Sequence, residues 1–155
     1  MFRSTVLVCG GTGCHSNRSG EIYDEFTAKI KEHNLTDDVL LVKTGCFGLC
    51  AVGPIVIVYP EGAFYSYVHE DDVEEIITEH LIKGRLVKRL LYKDENAASM
   101  VKALSETNFY KKQKRVALRL CGVINPENID EYIAYDGYQA LIKALTTMKP
   151  QEVID

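Results

Sequence analysis

Two pairs of cysteines constrain this chain more than any other feature. One lies in Cys9-Gly10-Gly11-Thr12-Gly13-Cys14, the other in Cys46-Phe47-Gly48-Leu49-Cys50. Each follows a short run of apolar, β-favouring residues, at 5–8 and 39–42. Near-continuous apolar runs of that length suit strands buried on both faces. Neither loop contains a charged residue, and both are rich in glycine. If the two strands are neighbours, four thiols meet at one edge as one site with four soft ligands.

The intervening pattern makes that adjacency an expectation. Ile22, Phe26 and Ile30, flanked by Tyr23, recur at helical spacing after Ser19-Gly20, with Asn34 as a stop. Residues 55–59 read as a third strand and 64–68 as a fourth, joined by a turn at 60–63 containing Pro60 and Gly62. Asp71 with Glu74 reads as a capping box for a helix whose face is Val73, Ile76, Ile77 and Leu81, ending at Gly84. The order β-α-β-β-β-α implies a parallel first pair with a right-handed crossover and a later antiparallel hairpin. The expected fold class is therefore α/β, a thioredoxin-like sandwich over residues 1–93. Residues 94–110 read as a polar connector. Beyond it, 116–120 reads as a strand and Asn125-Pro126 as a helix start, with Ile129, Tyr132 and Ile133 facing inward. Tyr138, Leu141, Ala144 and Leu145 mark a second helix after Gly137, and 150–154 the first turn of another.

The thiol spacing narrows the chemistry. C-x4-C and C-x3-C, separated by a long stretch, suit a 2Fe–2S cluster better than the tight C-x2-C knuckles common in zinc sites. Small residues (Gly10, Gly11, Thr12, Gly13, Gly45, Gly48) leave room for sulfides and let backbone N–H groups approach. Such a cluster with four thiolates is dianionic and becomes trianionic on reduction, so uncharged loops favour it. Zinc, a pair of disulfides and four unliganded thiols remain the alternatives. Cys14 is followed by His15, which lacks the C-x-H spacing of a Rieske site and reads as a loop residue. Cys121 reads as a small buried apolar residue. The cluster of charge at 111–115 reads as a solvated edge, and Tyr59, Tyr65, Tyr67, Tyr132, Tyr135 and Tyr138 as mostly packing residues. Phe47, Leu49 and Val52 form an apolar loop tip, suited either to shielding the site or to docking an electron partner.

The chain has 155 residues and a formal net charge of −4, which gives no footing for nucleic acid as a partner. No apolar run is long enough to span a bilayer, and the first strand pattern is too short for a signal-peptide core. The expected location is cytoplasmic, where clustered cysteines are metal ligands or catalytic groups more often than disulfides.

These residues carry a resemblance. The two cysteine pairs, followed by Gly53-Pro54-Ile55-Val56-Ile57-Val58-Tyr59-Pro60-Glu61-Gly62, look like the thioredoxin-like 2Fe–2S ferredoxin domain. The later run from Lys114 through Leu120-Cys121-Gly122-Val123-Ile124-Asn125-Pro126 to Ile133, with Gly137-Tyr138-Gln139-Ala140-Leu141, is similar to the opening segment of the flavin- and NADH-binding subunit of complex I. It is closer still to the beta subunits of NAD(P)-linked iron-only hydrogenases, many of them electron-bifurcating. The resemblance implies that Cys9, Cys14, Cys46 and Cys50 ligate a 2Fe–2S cluster. It also implies that residues 94–155 are a connector and the start of a truncated flavin domain, the chain being the front part of an oxidoreductase subunit. FMN, NAD(P) and 4Fe–4S sites belong to the full subunit and cannot be placed on these residues. The implied partners are other subunits of a multi-subunit redox complex, without direct membrane insertion.

The leading expectation is thus an electron-transfer module of a hydrogenase or NADH dehydrogenase. A metal-stabilised or metal-free adaptor for subunit assembly is the alternative. A thiol oxidoreductase is a third, although no C-x-x-C dithiol is present.

Overall fold

The computed structural model describes residues 2–93 and 106–155. A four-stranded sheet forms its centre, from β1 (Ser4–Cys9), β2 (Val39–Thr44), β3 (Val56–Tyr59) and β4 (Ala63–Tyr65), in the order β2-β1-β3-β4. β1 pairs parallel with β2, and β3 pairs antiparallel with both β1 and β4. β1 is central, which explains its apolar run: both of its faces are covered.

One face carries Val6, Val8, Val56 and Val58, and two helices close it. The first, α2 (Ser19–Glu32), follows a short helix α1 (Thr12–Ser16). It buries Ile22, Phe26 and Ile30, the three residues of its expected apolar stripe. The second helix, α3, begins with a 3-10 turn (Glu70–Asp72) and an α turn (Val73–Glu75), then widens to a π-type stretch (Ile76–Ile82). Val73, Ile76, Ile77 and Leu81 all face the core. Burial of each such side chain contributes about 1.5–3 kcal/mol. Lys29 on α2 and His33, which caps its C-terminus, reach Glu74 on α3 at 3.4 and 3.0 Å, tying the two helices side by side.

The opposite face carries Leu7, Val42, Ile57 and Phe64, aligned across the four strands by their register. Phe47, Ile55 and the first two cysteines cover it, with Tyr92 at its edge. The connections between strands and sheet faces therefore bury Cys9, Cys14 and Phe47 in a second core.

Several expectations change. The cap of α3 is not Asp71 with Glu74; the His69 N–H donates to the Asp72 carboxylate at 2.7 Å, because the helix starts a fraction of a turn earlier. Asp72 is further held by Arg89 at 2.6 Å. β4 is shorter than 64–68, since Tyr67 takes a left-handed backbone (φ 52°) that breaks the strand. Residues 116–120 form turns instead of a strand; Arg115 donates to the Leu118 and Cys121 carbonyls and curls the segment around itself. The helix expected from Asn125-Pro126 is α5 (Ile129–Ala134), capped by the Asn128 side chain, which accepts from Asp130 and Glu131 N–H. The connector expected at 94–110 lies largely outside the described residues; its end carries α4 (Asn108–Lys111).

The last two helices are α6 (Gln139–Thr147) and α7 (Pro150–Ile154), as the pattern indicates. Their apolar residues, however, face outward. Ile129, Tyr132 and Ile133 are not inner-face residues but exposed, and Leu145 and Ile154 are more than three-quarters exposed. Of the six tyrosines read as packing residues, only Tyr65 is buried.

Candidate metal centre

The site is a consequence of parallel pairing. Cys9 ends β1 opposite Thr44, which ends β2. Parallel neighbours deliver their C-terminal ends to the same edge, so both cysteine loops leave the sheet together. The chain after Cys9 winds at once into α1, which carries Cys14 inward on its first turn. The sequence pattern suggests only a plain loop there. After β2, the loop crosses the same edge and ends in a 3-10 turn (Cys50–Val52) that begins at the fourth cysteine.

All five cysteines are free thiols. Cys9 and Cys14 are buried, while Cys46 and Cys50 lie at the surface. The Cys46 and Cys50 sulfurs stand 3.9 Å apart. Cys9 Sγ donates to the Gly45 carbonyl at 3.8 Å, and the Cys14 and Cys46 thiols both lower its pKa. Among the described residues, no three cysteine, histidine or carboxylate side chains surround a single ion.

Glycines make this proximity sterically feasible. A Cβ on Gly11 would lie 2.9 Å from the Cys46 sulfur, one on Gly13 3.2 Å from the Cys50 sulfur, and one on Gly53 2.7 Å from the Cys14 sulfur. The first and the last are closer than a Cβ can sit without movement of its neighbour. Composition does not single out Gly53, although its place before Pro54 is visible in the sequence.

Backbone amides supply the electrostatics. The Gly48 N–H donates to the Cys46 sulfur at 3.2 Å. N–H groups of Phe47 and Gly11 face Cys9, and that of Ile55 faces Cys14. Cys9 is driven down to about 6, chiefly because the Cys14 thiol donates to it, with those amides assisting against burial. Cys14 is pushed up by holding that shared proton and by burial. For Cys46 the Gly48 N–H is the largest influence and acts downward, but burial and the neighbouring Cys50 and Cys9 sulfurs together push the thiol up. The arrangement is an electron-rich sulfur cluster facing donors from the main chain, with no titrating carboxylate in the loops.

The remaining sequence candidates separate. His15 sits on α1, exposed, and a Cβ added at Gly20 on α2 would lie 3.7 Å from its ring. Phe47 is buried against the sheet, with Leu49 and Val52 partly buried and packed beside it. Cys121 is not an inert core residue: it is half-buried and its Sγ donates to the Cys46 carbonyl at 3.2 Å. Tyr110 also reaches this loop, donating its hydroxyl to the Phe47 carbonyl. Neither contact has a sequence signal, since the partners are 63 and 75 residues apart.

Residues 2–81 match the family model described as thioredoxin-like 2Fe–2S ferredoxin. A 2Fe–2S ferredoxin from Clostridium pasteurianum is 48% identical over 77 residues, covering 50% of this chain and 76% of that protein. The crystal structure of a thioredoxin-like 2Fe–2S ferredoxin from Aquifex aeolicus superposes with a TM-score of 0.55 at 33% identity, covering 61% of this chain and all of that one. The NADP-reducing hydrogenase subunit HndC of Solidesulfovibrio fructosivorans is 54% identical over 52 residues, 34% of this chain and 10% of that protein.

Proposed function

The chain belongs to the thioredoxin-like 2Fe–2S ferredoxin family, and on that footing we propose that Cys9, Cys14, Cys46 and Cys50 are the ligands of its 2Fe–2S cluster and that the chain relays single electrons within a larger redox complex. The observation that carries the ligand assignment is the meeting of these four thiols at one sheet edge, against glycines whose missing Cβ atoms leave the sulfurs their space. Two thiolates on one tetrahedral metal, with bonds of about 2.3 Å, stand about 3.8 Å apart; the Cys46 and Cys50 sulfurs are 3.9 Å apart. A sulfur pair at that spacing suits one metal of a two-metal group. When bound, the cluster supplies one-electron redox chemistry. The protein's part is to hold four thiolates, aim N–H donors at them, and keep water from the buried pair.

The ligand reading is tested by anaerobic reconstitution, with iron and acid-labile sulfide counted per chain and EPR recorded after reduction. Serine at any one of the four positions is expected to abolish or strongly alter the signal, while Cys121→Ser keeps it. A full, unaltered cluster in two or more of the four variants refutes the assignment.

The larger complex is an NAD(P)H-linked hydrogenase or dehydrogenase, with residues 1–93 as the ferredoxin domain and 94–155 leading into a flavin- and NADH-binding domain. The stretch shared with HndC supports this. So do the outward apolar residues of α5 to α7, among them Leu141, Ile142 and Leu145. A segment that exposes that much apolar surface suits packing against a further domain or subunit. Anaerobic purification from the source cell, with mass spectrometry of the co-eluting material, is the test. Peptides of an FMN-containing unit, on the same chain or on a partner, are expected; their absence from intact, cluster-bearing material overturns the reading.

A further inference from the structure

Residues 110–124 form a strap over the second cysteine loop. Three of its groups bond to that loop or to the strand end that feeds it. The Tyr110 hydroxyl donates to the Phe47 carbonyl, the Cys121 thiol to the Cys46 carbonyl at 3.2 Å, and the Gly122 N–H to Thr44 Oγ1 at 3.1 Å. The fit is close. Gly122 has φ 77°, and a Cβ there would lie 2.5 Å from the Phe47 ring. Arg115 fixes the strap from above, its guanidinium 5.3 Å from the Tyr110 ring centroid and bonded to the Cys121 carbonyl at 2.6 Å.

The two carbonyls so engaged belong to consecutive peptides, and a peptide is a rigid plane. In the trans form its C=O and N–H point in opposite directions. Among the described residues the cis peptides are Gly53-Pro54 and Tyr59-Pro60, so both of these units are trans. The N–H across from the Phe47 carbonyl is that of Gly48, which donates to the Cys46 sulfur at 3.2 Å. The N–H across from the Cys46 carbonyl is that of Phe47, which faces Cys9. Gly48, at φ 82°, supplies the turn that lets successive N–H groups converge in this way.

We infer that Tyr110 and Cys121 are positioning residues: by holding the Phe47 and Cys46 carbonyls on the outer side of the loop, they aim the Gly48 and Phe47 N–H groups at the Cys46 and Cys9 sulfurs and thereby raise the reduction potential of the centre. A donor on a carbonyl also polarises its peptide, making the opposite N–H a stronger donor. N–H···S bonds favour the more negative, reduced state, and hydrogen bonds to the sulfurs are among the determinants of such potentials. The inference rests on Cys9 and Cys46 being ligands, as proposed above.

The test uses the full chain with its cluster reconstituted. Iron and sulfide content is measured first, then the potential by EPR-monitored redox titration. Tyr110→Phe removes one hydroxyl and keeps the ring. It is expected to lower the reduced-to-oxidised ratio at fixed poise about three- to tenfold, the range of one net hydrogen bond; tenfold is about 59 mV for one electron. Tyr135→Phe, at an exposed tyrosine that makes no side-chain hydrogen bond to the loop among the described residues, leaves the potential unchanged. Cys121→Ala lowers it and Cys121→Ser, which keeps a donor, restores it; this pair decides the question if Tyr110→Phe loads incompletely. A fully loaded Tyr110→Phe at the wild-type potential, or Cys121→Ala and Cys121→Ser at equal potentials, overturns the inference alone. A wild-type chain that takes up no iron or sulfide overturns the ligand reading, and this inference with it.

Discussion

Replacing Gly53 by alanine isolates the steric demand of the site from the conformational demand of glycine. Gly53 has φ −74° and ψ 162°, extended backbone that alanine adopts without strain and that suits a residue before proline. The added Cβ would nevertheless lie 2.7 Å from the Cys14 sulfur and 3.4 Å from the Cys50 carbonyl oxygen. To regain ordinary contact the sulfur must retreat by about 0.7 Å. Cys14 is 1% exposed and packs in the second core, so its retreat must displace neighbours there. Metal–ligand distances tolerate about 0.2 Å, so the retreat is several times what a bound metal allows. In the metal-free protein, overpacking costs about 1–3 kcal/mol, offset by about 0.4–1 kcal/mol from the stiffer unfolded chain. A net loss of about 1–2 kcal/mol is expected by urea denaturation. In the loaded protein, retention of iron against a chelator is expected to fall about 10–100-fold, the scale of changes just outside a metal's ligands. Gly20→Ala is the companion: in α2, with its nearest neighbour at 3.7 Å, it is expected to stabilise by about 0.5–1 kcal/mol and leave retention unchanged. A Gly53→Ala protein that holds iron as the wild type does refutes the steric account of the cradle.

Phe26 is fully buried between α2 and the sheet, so Phe26→Ala is expected to cost about 3–5 kcal/mol by urea denaturation; a loss under about 1 kcal/mol argues against this core. Tyr65 donates to His80 Nδ1 at 2.8 Å and accepts from the Val87 N–H at 3.2 Å, both buried, so Tyr65→Phe orphans two groups and is expected to cost about 2–4 kcal/mol; near-neutral behaviour contradicts the network. Burial lowers the His80 pKa, against a weaker upward pull from Glu61. The unfolded chain then binds the proton more readily, so the contribution of His80 is fully present above the unfolded value of about 6.5 and is lost as pH falls through the lower folded value. The stability difference between wild type and His80→Gln is expected to shrink as pH falls from 7.5 to 5 (about the range of histidine titration); a flat difference rules His80 out as its source.

The elements most legible in the sequence are those whose environment is set by their own pattern. β1 and α2 are examples: an uninterrupted apolar run is buried on both faces, and a stripe at Ile22, Phe26 and Ile30 covers one. Boundaries governed by a single contact are less legible. The α3 cap lies at His69 and Asp72, two residues before the expected start, and Arg89, distant in sequence, holds the other oxygen of the Asp72 carboxylate. Residues 116–120 have β-like composition and, among the described residues, no strand beside them, and composition cannot report a missing neighbour. The stripes of α5 and α6 have the right period, yet periodicity says only that a helix is amphipathic, not what covers it.

The candidate site divides along the same line. Local sequence specified which atoms were available: four thiols in two uncharged, glycine-rich loops, each loop at the end of an apolar strand, because strand pattern and loop chemistry are local; that β1 is central and buried while β2 is a half-exposed edge strand is a tertiary outcome. Long-range packing set the remainder. Parallel pairing of β1 with β2 brought the loops to one edge, α1 turned Cys14 inward, and Gly53 gave its sulfur room. Packing also laid the strap of Tyr110 and Cys121 across the outer face of the second loop. Those contacts join residues more than sixty positions apart, and their energies depend on the direction of a carbonyl, which no local pattern of side chains encodes.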